Sequence, residues 1–225
     1  MKLYYHPVST TCRPIMLLAA ECGIALDYEL VDLFTGAHHQ PSFAEINPSH
    51  QVPVLEDEGF RLTESSAILK YLAEKEKVSA YPMGARERAR VNERLDWFNT
   101  GFYRDFCYGF VYPQIFATMK RSDDVVQAAT IAYGREKALG WLKCLDHSLI
   151  GPRNKYLCGD SITLADYLGS IMALSLDAIG GNFNSYPNIS RWLGNMKALP
   201  SWTRVNEAFY KYLVTPNREK TFTGL

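Results

Sequence analysis

Three observations predict an α/β N-terminal domain joined to an all-α C-terminal helical bundle. Strand-like and helix-like segments alternate through residues 1–80, a charged stretch with Pro82 and Gly84 follows, and beyond it apolar residues recur only at helical spacing. The first unit is therefore placed at residues 1–80 and the second at residues 88–225.

Lys2 to Tyr5 reads as a strand, Pro14 to Cys22 as a helix that Gly23 stops, and Asp27 to Asp32 as a second strand. A polar segment follows. Val54 to Glu56 and Arg61 to Thr63 form a predicted hairpin with Gly59 at its turn, and Ser65 to Ala73 a helix that Ser65 is expected to cap. The helical half shows the runs Val91-Leu95-Phe98-Phe102, Ile131-Gly134-Ala138-Leu142-Leu145, Leu164-Leu168-Ile171 and Ile189-Leu193-Met196. Thr163 and Asp166 have the spacing of a capping box, which assigns Asp166 a structural role.

Composition narrows the function. The 225 residues carry no net charge, which gives nucleic acid or a membrane surface nothing to bind electrostatically. No apolar run approaches the ~20 residues that cross a bilayer, and the N-terminus lacks the pattern of a secretory leader, so a cytoplasmic protein is expected. The five cysteines stand singly and the five histidines lack ligand spacing, so no metal is expected.

The segment Tyr5-His6-Pro7-Val8-Ser9-Thr10-Thr11-Cys12-Arg13-Pro14 carries the chemistry. It reads as a strand feeding a hydroxyl-rich loop that opens a helix, where unpaired N–H groups and the helix dipole stabilise a thiolate. Ser9-x-x-Cys12 has the spacing of a thioredoxin-like redox pair with serine in place of the attacking cysteine, so the sulfur must come from a ligand. Cys12 itself reads as a core thiol and Arg13 as a solvated or interface charge. Gln51-Val52-Pro53 places a proline before a strand, where a cis peptide would free the Val52 N–H and C=O for an extended peptide. Glu64-Ser65-Ser66 brings an acid and hydroxyls to the next helix start, suited to an ammonium and a carboxylate. Thiol, peptide backbone, carboxylate and ammonium are the functional groups of glutathione.

In their order, Tyr-x-x-Pro-x-Ser-x-x-Cys-Arg, Asn-Pro-x-x-x-Val-Pro-Val-Leu, Glu-Ser and Ser-Ile-Thr-x-Ala-Asp make the chain resemble the glutathione transferases over nearly its whole length. It is most similar to the serine-type theta and delta groups and their bacterial relatives. The resemblance implies that Ser9 donates a hydrogen bond to the glutathione sulfur, with Tyr5, Thr10 and Thr11 as the alternative hydroxyls. It implies that His38 and His50 meet the glycine end, with His39 able to replace His38. Val52, flanked by Gln51 and Pro53, would pair with the cysteinyl backbone, and Glu64 and Ser65 would hold the γ-glutamyl end. Ser66 stands where the delta pattern has arginine. Tyr103, Phe106, Tyr112, Phe116 and Phe209 would line an apolar second-substrate pocket.

The implied activity is attack of an ionised glutathione thiol on a hydrophobic electrophile by a homodimer. Lowering a thiol pKa from about 8.5 to about 6.5 takes roughly 2.7 kcal/mol. One charge-assisted hydrogen bond of about 1.5–3 kcal/mol and a helix start of about 0.3–2 kcal/mol supply that. Glutathione-dependent disulfide or peroxide reduction, reductive cleavage of halides or ethers, and a non-catalytic binding module stay open at this stage.

Overall fold

The computed structural model describes residues 1–225. Its sheet has four strands, β1 (Lys2–Tyr5), β2 (Asp27–Leu30), β3 (Val54–Asp57) and β4 (Phe60–Leu62). Their order is β2-β1-β3-β4, with β1 parallel to β2 and antiparallel to β3, and β3 antiparallel to β4. The hairpin turn forms as expected, because Glu58 and Gly59 both take positive φ, 50° and 87°. Between β1 and β2 runs α1 (Arg13–Cys22), which Gly23 ends in a left-handed conformation. The segment read as merely polar contains a 3-10 turn (Ala37–His39) and the short helix α2 (Pro41–Ala44), too brief to leave a periodic trace.

After β4 comes α3 (Ser65–Lys75), and from α4 (Ala85–Trp97) onward no strand occurs. The helix of α4 widens into π-type turns over Phe98–Val111 and closes as α5 (Tyr112–Ile115). Then follow α6 (Asp124–Cys144), α7 (Leu164–Leu174), α8 (Pro187–Lys197) and α9 (Trp202–Phe209). Gly134 of α6 lies so close to the widened segment that a Cβ there would collide with the Gly109 carbonyl oxygen. No helix is long and apolar enough to cross a membrane.

One continuous apolar core joins the halves. Leu3, Ile15, Leu18 and Leu69 belong to the same buried cluster as Phe98, Ile171 and Trp192. The C-terminal tail is pinned on the helical half, where Thr223 exchanges two hydrogen bonds with Gln114 and Arg135 donates to the Gly224 carbonyl.

The capping box at α7 is present, and Asp166 does more than cap. Its fully buried carboxylate accepts from the Thr163 N–H and hydroxyl, the Leu157 N–H and the Trp192 indole N–H, all at 2.8 Å. One side chain thus anchors the loop before α7, the start of α7 and α8. Asp166→Ala leaves those donors buried without an acceptor and should cost about 3–5 kcal/mol, read as a lowered urea midpoint.

Candidate functional site

Ser9 sits at the turn that leads into α1. Its carbonyl accepts from the Arg13 N–H at 3.1 Å, in the turn just before the helix, and its Oγ accepts from the Thr11 and Cys12 N–H groups, both at 3.3 Å. With two backbone donors on its Oγ, the Ser9 hydroxyl has Thr11 Oγ1, 3.0 Å away, as the neighbour for its own hydrogen.

The other candidate hydroxyls have partners of their own or lie beside aromatic rings. Thr10 is buried and accepts from the Tyr112 hydroxyl at 2.7 Å. Thr11 Oγ1 lies 3.0 Å from Ser9 Oγ and donates to the Val52 carbonyl at 3.0 Å. Tyr5, the last residue of β1, turns its ring edge-on to Tyr28 with centroids 5.0 Å apart. Cys12 is fully buried, as expected of a core thiol, and burial pushes its pKa up to about 11.

The Val52–Pro53 peptide is cis, and the Val52 N–H has no acceptor within the protein. Its carbonyl is not free as expected, because the Thr11 hydroxyl occupies it. Gln51 is exposed, and its carbonyl accepts from the Asn47 side chain at 2.8 Å.

At the next helix start the expectation for Ser65 needs correcting. Ser65 is the first residue of α3, and Glu64 holds the cap position with its carbonyl accepting from the Ile68 N–H. Glu64 is exposed and adopts φ 65°, ψ 116°, a conformation costly for a residue with a Cβ and concentrated at functional sites. Nothing in the residue types marks that strain. Ser66 accepts from Asn99 at 3.0 Å, a contact across the two halves that sequence reading missed because the residues are 33 apart.

His38, His39 and His50 form a cluster of rings tilted to one another. His38 and His39 have ring centroids 3.9 Å apart, and His39 and His50 5.8 Å. His50 donates its Nδ1–H to the His38 carbonyl at 2.8 Å. Burial, then the neighbouring imidazoles of His39 and His50, hold the His38 pKa below its ordinary value.

The structure divides the aromatic set. Tyr103, Tyr112 and Phe116 belong to one ring cluster, with Tyr112 6.1 Å from Tyr103 and 5.3 Å from Phe116. Exposed Tyr108 joins it, 5.1 Å from both Tyr103 and Tyr112, and the Tyr112–Thr10 hydrogen bond sets the cluster beside the Ser9 loop. Phe106 and Phe209 do not fit the expected lining. Phe106 is fully buried and stacked on Phe102, and Phe209 lies under the Arg13 guanidinium, 4.2 Å from ring centroid to carbon. Arg13 is itself fully buried between the halves, bonded to Asn206 at 2.7 Å, so it is an interface charge and not a solvated one. A groove of about 760 Å³ between α6 and the tail, lined by Gln127, Ile131 and Arg135 among others, contains none of these residues.

Two family models match, the N-terminal domain of glutathione S-transferase over residues 1–74 and its C-terminal domain over residues 111–200. Solved structures agree over the full length. A delta-class glutathione transferase from Nilaparvata lugens is 32% identical, with 96% of this chain and 98% of that one covered and a TM-score of 0.82. Human glutathione transferase theta-2, solved with glutathione and an unknown ligand, is 27% identical, with 100% and 93% covered and a TM-score of 0.87. An unclassified glutathione S-transferase from Bombyx mori is 30% identical, with 99% of each chain covered and a TM-score of 0.81. With both domain models matched, and with relatives that span its whole length, the chain belongs to the glutathione S-transferase family, enzymes whose co-substrate is glutathione.

Proposed function

We propose that the chain is a cytoplasmic, homodimeric glutathione transferase in which Ser9 donates a hydrogen bond to the glutathione thiolate for attack on a hydrophobic electrophile. The observation that carries this reading is the Ser9 hydroxyl itself, which accepts two backbone N–H groups at the start of α1 and whose one hydrogen, turned in the free protein toward the Thr11 hydroxyl at 3.0 Å, is the one a bound sulfur would take. A sulfur held there meets one hydroxyl donor and the positive end of a helix. Glutathione would run along the Val52 edge, with its glycine carboxylate toward His38, His39 and His50 and its γ-glutamyl end toward Glu64, Ser65 and Ser66. The binding half is residues 1–80, and the helical half, residues 88–225, brings Tyr103, Tyr108, Tyr112 and Phe116 to the electrophile. Rate enhancement then comes from thiol ionisation and proximity, with no acid or base from the protein.

Ultraviolet absorbance of the thiolate against pH tests the assignment. Ser9→Ala should raise the pKa of bound glutathione by about 1–2 units, the equivalent of one charge-assisted hydrogen bond, while Tyr5→Phe leaves it unchanged. The opposite pattern would move the role to Tyr5.

The histidine cluster predicts proton-linked binding. His38 Nδ1 is buried without a partner, and a bound carboxylate favours protonation of this ring, whose pKa burial and the neighbouring imidazoles hold below its ordinary value. Affinity for S-methylglutathione, which has no ionising thiol, should therefore rise several-fold from about pH 8 to about pH 6, with proton uptake seen by calorimetry in two buffers.

Thiol labelling gives an independent check that the enzyme's own sulfur is not the nucleophile. Exposed Cys22 should react first with an aromatic disulfide reagent. Cys12 and Cys107, buried and pushed up to about 11 and about 12, should react only after unfolding.

A further inference from the structure

A hydroxyl carries one hydrogen, and this fixes the direction of a short chain next to Ser9. The Val52 carbonyl can only accept, so Thr11 spends its hydrogen there at 3.0 Å. Across the 3.0 Å contact between the two side chains, Ser9 must then be the donor and Thr11 the acceptor. The chain runs Ser9 hydroxyl to Thr11 hydroxyl to Val52 carbonyl, and in this state the Ser9 hydrogen points at Thr11.

The Val52 carbonyl is also the acceptor that an extended peptide ligand would use, beside the unpartnered Val52 N–H. We propose that Thr11 is a positioning residue that couples capture of the glutathione backbone to activation of its thiol, a step that rests on the role given to Ser9 above. When the cysteinyl N–H takes the Val52 carbonyl, the Thr11 hydroxyl rotates and donates to Ser9 Oγ. Ser9 can no longer give its hydrogen to Thr11 and gives it to the sulfur. An Oγ that accepts from the Thr11 hydroxyl in place of one of its two long 3.3 Å backbone contacts is a stronger donor, because hydrogen bonds in a chain polarise one another. No bond is made or broken and no proton changes owner; two O–H groups reorient.

The competing geometry leaves Thr11 on Val52 throughout, in which case Thr11 only competes with the sulfur for the Ser9 hydrogen. The two differ in sign. The coupled chain predicts that Thr11→Val raises the pKa of enzyme-bound glutathione by roughly 0.5–1 unit, a three- to tenfold smaller thiolate fraction below the pKa, and that Thr11→Ser restores it. Affinity for S-methylglutathione should hold or improve in Thr11→Val, since the Val52 carbonyl has lost a competitor. An unchanged or lowered thiol pKa in Thr11→Val, with Ser9→Ala still raising it, overturns the coupling and leaves the Ser9 role intact. If Ser9→Ala does not raise it either, both fall.

A measurement on the unmodified protein covers the case in which Thr11→Val does not fold. A glutathione analogue with an ester oxygen in place of the cysteinyl N–H cannot take the Val52 carbonyl, so Thr11 stays on it. Its thiol pKa should then drop on binding by roughly 0.5–1 unit less than that of glutathione. Equal drops for the two ligands overturn the proposal.

Discussion

The buried contact of Arg13 with Asn206 holds the first turn of α1, and the site depends on where that turn stands. A guanidinium removed from water is costly unless it finds hydrogen bonds and favourable charge. Here it has the Asn206 oxygen at 2.7 Å and the face of Phe209 at 4.2 Å, both supplied by α9. From the same turn Thr10 is bound by Tyr112 of α5, and Thr11 reaches Val52 at the edge of the sheet half. Ser9, at the head of the turn, is thus positioned by contacts to both halves of the chain.

What the sequence disclosed was mostly local. The Ser9 loop, the hairpin turn at Gly59, the stop at Gly23 and the Thr163–Asp166 box each depend on residues a few positions apart, and each stands where the sequence put it. What it concealed was distant or conformational. Thr11 and Val52 are 41 residues apart and Arg13 and Asn206 193, so neither pair leaves a pattern in the chain. Glu64 looks like any acid before a helix, yet its backbone is left-handed, which no residue type announces. Phe106 and Phe209 share their helical spacing with Tyr103, Tyr112 and Phe116, and only packing sends them fully into the core.

Glu64 and Ser66 illustrate how a helix start becomes a binding feature. The strained Glu64 backbone is fixed between β4 and the first turn of α3, and Ser66 is tied to Asn99 of the helical half. Such conformations persist only where neighbouring structure over-determines them. The start of α3, like the turn before α1, is therefore held by contacts to both halves.

The bond from Tyr112 to Thr10 has a consequence for how this enzyme can diversify. The ring cluster of Tyr103, Tyr112 and Phe116 is joined through that bond to Thr10, the residue after Ser9. Substitutions that reshape the cluster to admit a new electrophile will be felt one residue from Ser9. A change at Tyr112 reaches the loop directly, and one at Tyr103, whose hydroxyl lies 3.4 Å from that of Tyr112, reaches it at one remove, whereas Tyr108 and Phe116 meet Tyr112 only through their rings and leave the loop the most freedom to stay in place.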